Sequence, residues 1–176
     1  MSANMGTSMD AALLEATADT PEFSLNGLVV RAKVVSCHDG DTFQAVFSLE
    51  GSERLHKFTC RMAGYDAAEM APSKSKEGRE IEKANALKAR QALLSQITDS
   101  VSLTGSYTKS QMDEAVKNNR KIVDLACREF DKYGRLLVEL YMSDGKKLND
   151  WMVQRGYGYV YNGGTKNTAF GVTASA

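Results

Sequence analysis

The sequence predicts an α+β fold, a five-stranded β-barrel carrying one long helix and one or more short ones. Three observations carry this prediction. Short segments rich in Val, Phe and Leu alternate apolar and polar residues between turns that contain Gly or Asp. One long stretch, Arg79 to Ile97, holds neither Gly nor Pro. After it the alternation resumes, and a short amphipathic segment follows. Strands, a long helix, more strands and a last helix around one core make the α+β pattern.

Residues 1–25 are small, acidic and weakly patterned, and are expected to form a flexible leader ahead of a domain over 26–162. Leu28 to Val35 reads as a first strand. Asp39-Gly40 is a hairpin signal, and Thr42 to Phe47 follows with Phe43, Ala45 and Phe47 on one face. Gly51 marks the next turn. Leu55 to Ala63 puts Phe58, Cys60 and Met62 inward, with Lys57, Thr59 and Arg61 on the opposite face. Residues 64–78 read as a loop.

In the long helix Leu87 and Leu94 lie two turns apart, and Ala86, Leu93 and Ile97 widen the same stripe. Val101 to Thr104 is expected to be a short strand. Residues 105–121 are polar and basic, with a helical turn or two at Met112 to Asn118. Ile122 to Phe130 and Leu136 to Met142 read as strands around a turn at Lys132-Tyr133-Gly134. Leu148, Trp151, Met152 and Arg155 sit at helical spacing before Gly156. A flexible tail is expected over 163–176. Five or so short strands with a helix after the third fit a Greek-key barrel of the oligonucleotide-binding type, an OB-fold.

A chain of 176 residues is long enough for one domain with a real core. Its 43% hydrophobic and 25% charged residues are those of a soluble globular protein. No apolar run reaches the length of a membrane span, and the N-terminus lacks a secretory pattern. Cys37, Cys60 and Cys127 are too few for a disulfide framework and are read as reduced core thiols of an intracellular protein. A monomer with no membrane partner is expected.

The net charge of zero hides an asymmetry. The first 25 residues hold four acids and no base, which leaves 18 acids against 22 bases, about +4, on the rest. That excludes a protein that coats DNA by bulk charge. A nucleic-acid function has to rest on a site.

Four stretches supply the parts of one: Asp39-Gly40-Asp41-Thr42, Arg61 to Glu69, Asp131 to Arg135, and Asn149 to Gly156. By itself the first is a turn, favoured for backbone reasons. The functional reading puts Asp41 at the barrel mouth with Asp66, in a loop after a strand end, converging on it. Two aspartates without soft neighbours suit a hard cation such as Ca²⁺, Mg²⁺ or Mn²⁺. His56 and Cys60, or Cys37 and His38, lack the tight paired spacing of a zinc site. Arg61 is either a surface charge or a side chain aimed into a polar pocket, and Arg135 closes a hairpin. A planar guanidinium that never titrates suits a phosphate. Glu69, three residues past Asp66, can face the same pocket.

On these motifs the chain, from about Leu28 to about Tyr161, resembles the staphylococcal nuclease (thermonuclease) family. The resemblance implies an OB-fold hydrolase of DNA and RNA that uses Ca²⁺, prefers single strands, and leaves 3′-phosphate and 5′-hydroxyl ends. It implies Asp41, Asp66 and the backbone carbonyl of Ala67 as metal ligands. Arg61 and Arg135 would hold the scissile phosphate, and Glu69 would handle the attacking water. Lys132 and Tyr133 match positions near the nucleotide's terminal phosphate. Tyr159 and Tyr161 match nucleotide-stacking tyrosines.

The chain departs from the family pattern in Ala67 and Ala68, where Thr and Pro are common, in a longer 105–121 segment, and in lacking an evident last helix after Gly164. The rival readings are a catalytically inactive OB-fold module that binds nucleic acid, and a protein-interaction domain that uses Tyr157, Tyr159 and Tyr161.

Overall fold

The computed structural model describes residues 4–74 and 77–164. In chain order the elements are α1 (Asn4–Leu14), β1 (Val29–Cys37), β2 (Thr42–Ser48), β3 (Leu55–Met62), β4 (Tyr65–Asp66), α2 (Arg79–Ile97), α3 (Lys109–Lys117), β5 (Val123–Phe130), β6 (Leu136–Tyr141), α4 (Leu148–Gln154) and β7 (Tyr159–Val160). Strands β1, β2, β3, β6 and β5 close into a barrel in that order. All neighbours are antiparallel except β3 and β6, which run parallel. This is the five-stranded OB-fold barrel that the alternation predicts.

The core follows from the alternation. Phe43, Ala45 and Phe47 of β2, Cys60 and Met62 of β3, and Leu136, Val138 and Leu140 of β6 are all buried. A bulge between Val34 and Ser36 resets the period of β1, so that Cys37 as well as Val34 points inward. The three cysteines are free and buried. Burial pushes the thiols of Cys37 and Cys60 up to about 12. Helix α2 contributes Ala89, Leu93 and Ile97 to the same core, and α4 contributes Leu148 and Met152. Asn149 ties α4 to the barrel. Its Oδ1 accepts from the Leu140 N–H (2.9 Å), and its Nδ2 donates to the carbonyls of Ala63 (2.9 Å) and Val138 (3.1 Å).

The structure differs from the sequence expectations in four places. Residues 4–14 form α1 where only an unpatterned leader is expected. Val101 to Thr104 is not a strand, because a closed barrel offers it no free edge. There Val101 is buried and Gln91 Nε2 donates to the carbonyls of Ser102 (2.8 Å) and Gly105 (2.7 Å). Helix α3 is longer than the turn or two expected. Thr108 and Gln111 form a capping box at its start. Finally, β4 pairs with β7, and strands of two residues carry no readable period. The tail beyond 164 lies outside the described residues.

Candidate active site at the barrel rim

The site grows from the β1–β2 turn. The backbone N–H groups of His38 and Asp39 both donate to the Thr42 carbonyl, at 2.8 and 3.2 Å. Gly40 packs on α2 so closely that an added Cβ would lie 2.5 Å from the Ala89 Cβ and 3.1 Å from its backbone carbon. Only glycine permits that approach. The buried Tyr65 hydroxyl donates to the Gly40 carbonyl (2.7 Å). Burial, then the Asp41 charge, raises the Tyr65 pKa well above the ordinary phenol value, so the hydroxyl stays a donor.

Held this way, Asp41 is 3% exposed. Its Oδ1 accepts from the Thr42 hydroxyl (2.7 Å), and its Oδ2 accepts from the Ala67 N–H (2.9 Å). Arg61, next to Cys60 in β3 and so on the opposite face of the strand, turns its guanidinium onto the same oxygen, Nη1 to Oδ2 at 2.9 Å. Its Nη2 donates to Asp66 Oδ1. Asp66 Oδ2 in turn accepts from the Tyr159 hydroxyl (2.8 Å). The two carboxylates therefore converge on one buried guanidinium. Burial opposes the Arg61 charge, but Asp41 and Asp66 outweigh it and raise its pKa.

A cavity of about 190 Å³ opens here, lined by His38, Asp39, Asp41, Arg61, Glu69 and Arg135 among others. Asp39 Oδ1 accepts from the Met70 N–H (3.1 Å), which ties the turn to the loop that carries Glu69. Burial raises the Asp39 pKa, against the Met70 bond and His38, and the Asp41 and Glu69 charges add to the rise. Arg135 enters from the β5–β6 hairpin. Its Nε donates to Asp131 Oδ2 (2.7 Å), and Asp131 Oδ1 accepts from the N–H groups of Tyr133 and Arg135 (both 2.9 Å). Burial works to raise the Asp131 pKa, but these bonds hold it below the usual value.

The cavity continues into a groove of about 630 Å³ lined by Arg61, Glu69, Lys132, Tyr133, Arg135 and Tyr161. Tyr133 is an exposed platform with the Lys132 ammonium 5.1 Å and the Arg135 guanidinium 5.3 Å from its ring centre. Tyr161 lies edge-on to Tyr159 at 6.4 Å. A separate cavity of about 520 Å³ beyond the β4–β7 pair contains Arg128, Glu139 and Lys147. Glu139 is bonded to both cations, and Lys147 also lies 3.7 Å from the Asp150 carboxylate.

Asp41, Arg61, Ala67, Glu69 and Arg135 thus share one cavity, and Lys132, Tyr133 and Tyr161 line its extension. Asp66 backs Arg61, and the Tyr159 hydroxyl is used on Asp66. The sequence reading missed His38 and Asp39 as wall residues and Tyr65 as the prop behind the turn. The available signals were the positions of Tyr65 inside the Arg61-to-Glu69 motif and of Asp39 at the start of the Asp39-to-Thr42 motif.

The donors fit a hard cation by type. Asp41 and Asp66 offer carboxylate oxygens, and each carboxylate bonds the Arg61 guanidinium that lies between them. Among the described residues no three His, Cys, Asp or Glu side chains group to cage an ion by themselves. Any ion here would need a backbone carbonyl, water or substrate oxygens to complete its shell.

A family model described as staphylococcal nuclease homologue matches residues 59–171, more than half of the chain. The matched stretch includes Arg61, Asp66, Glu69 and Arg135 and begins after Asp41. No curated protein matches the chain.

Proposed function

Since the chain belongs to the staphylococcal nuclease homologues, we propose that it is a calcium-dependent nuclease acting on DNA and RNA, with single strands preferred. The observation that carries this reading is one cavity walled by Asp41, Arg61, Glu69 and Arg135, opening into a groove with Lys132, Tyr133 and Tyr161.

Asp41, Asp66 and the Ala67 carbonyl would hold the ion. When bound, it supplies charge neutralisation at the phosphoryl oxygen. Arg61 keeps N–H groups beyond the two it gives to Asp41 and Asp66, since a guanidinium carries five. Those and the Arg135 fork bind the non-bridging oxygens, where charge builds as the bond to water forms. Loss of one such donor costs about 2.7–4 kcal/mol of barrier. Glu69 takes the proton of the attacking water, an effect worth about 10²–10⁴-fold. The new P–O bond forms as the P–O5′ bond breaks. The 5′ oxygen leaves and gains a proton from solvent, giving a 3′-phosphate and a 5′-hydroxyl. Tyr133 and Tyr161 offer ring faces to unpaired bases, hence the single-strand preference.

One observation favours a second reading. Arg61 already bonds both Asp41 and Asp66 without any ligand, as suits a domain that binds nucleic acid and does not cut it. Incubation of single-stranded oligonucleotides and plasmid with and without Ca²⁺ separates the two. Cleavage to 3′-phosphate ends that stops in excess chelator is the expected result. Binding without cleavage favours the second reading, and cleavage in excess chelator removes the metal role.

A further inference from the structure

Arg90 on α2 is 1% exposed and heads the large side chains that are fully buried. Its Nη2 donates to the Cys37 carbonyl (2.7 Å) and to the Asp113 carboxylate on α3. Its Nε and Nη1 find no hydrogen-bond acceptor among the described residues. Asp113 is 53% exposed. A buried cation whose one counter-charge among the described residues is half in water is a costly arrangement, and an apolar pairing of similar size is often as stable or more so. The pairing is thus weak evidence that stability accounts for a guanidinium at this position.

What it touches points to the turn. Cys37 is the last residue of β1, one step before His38-Asp39-Gly40-Asp41. The Cys37 thiol donates to the Asp39 carbonyl (3.2 Å), and its own carbonyl is the group Arg90 grips. The neighbouring Ala89 abuts Gly40. Two consecutive residues of α2 thus hold the turn at its root and at its middle. Asp113 holds Arg90 from the other side, out of the 105–121 segment.

We propose that Arg90 is a positioning residue for Asp41: it clamps the Cys37 carbonyl at the root of the turn, and its pairing with Asp113 lets helix α3 set the alignment of the site. This inference rests on the hydrolase reading. A displacement of about 1 Å at a reacting group is enough to cost about 10²-fold, so a small shift of the turn has a large readout.

The test compares Arg90→Met, Arg90→Lys and Asp113→Asn with the parent full-length chain. The readouts are thermal unfolding, kcat and KM on a single-stranded oligonucleotide with Ca²⁺, and exchange of the His38 amide. Arg90→Met is expected to fold with an unchanged or higher Tm. Its kcat falls about 10–100-fold with little change in KM, and His38 exchanges faster while the amides of β5 and β6 do not. Arg90→Lys restores part of kcat, and Asp113→Asn loses less than Arg90→Met.

A folded Arg90→Met with parental kcat and parental His38 exchange overturns the proposal. So does faster exchange throughout the barrel, which marks a general structural role. Should Arg90→Met not fold, Asp113→Asn decides, because Asp113 is half exposed: parental kcat and exchange there overturn the proposal. A parent chain that cuts nothing overturns the hydrolase reading alone, and His38 exchange then judges the clamp.

Discussion

The two arginines of the site share a charge and little else. Arg61 is 8% exposed and is bonded to two carboxylates that are themselves buried, on β4 and in the β1–β2 turn. Arg135 has a side chain 28% exposed and pairs with Asp131 inside its own hairpin. One is part of the frame, and its removal strands two buried anions. The other is presented by a local turn, and its removal disturbs only that turn. Similar chemistry can therefore be carried by residues with very different structural debts, and the difference is measurable.

Arg61→Ala is the strongest test. Cleavage should fall by at least about 10²–10³-fold. Stability in urea should drop by about 3–5 kcal/mol, the usual cost of breaking a buried ion pair from one side. Unchanged stability would break the comparison. Arg135→Ala should lose cleavage by a similar about 10²–10³-fold, with less than about 1 kcal/mol of stability. A large stability loss in this variant would erase the contrast.

Tyr133→Ala sharpens the hairpin side. Tyr133 is 70% exposed, so the fold should not notice the change. Oligonucleotide affinity should weaken by about 1–3 kcal/mol per stacked base lost, seen in KM with kcat kept. The smallest effect belongs to Asp131→Asn. The pKa of Asp131 is lowered in the fold, so its carboxylate stabilises the native state above the unfolded-chain value, and that contribution is lost as pH falls through the folded value. The variant should melt a few degrees below the parent near pH 7, roughly 2–8 °C per kcal/mol lost, and the gap should close in strong acid.

Much of this architecture was legible in the residue pattern, because alternation reports which face is buried. Phe43, Ala45 and Phe47 declare a barrel strand, and the unbroken stretch from Arg79 to Ile97 is the whole of α2. The joint appearance of Asp41, Arg61, Asp66, Glu69 and Arg135 pointed to one rim. What periodicity cannot report is the identity of the partner. Val101 is as apolar and as buried as a strand residue, yet every barrel edge is already taken. Arg90 sits in a helix as any surface arginine might, and only the fold places its guanidinium against the Cys37 carbonyl. Tyr65-Asp66 and Tyr159-Val160 are too short to alternate, though they set where Asp66 points.

The sealed thiols give the molecule an internal clock. With Cys37 and Cys60 held near 12 and Cys127 also raised, almost no thiolate is available to an alkylating reagent while the chain is folded. Labelling therefore waits for opening. Modification of Cys60 and Cys127 should keep pace with global denaturation, while earlier modification of Cys37 would time the loosening of the single corner on which Asp41 depends.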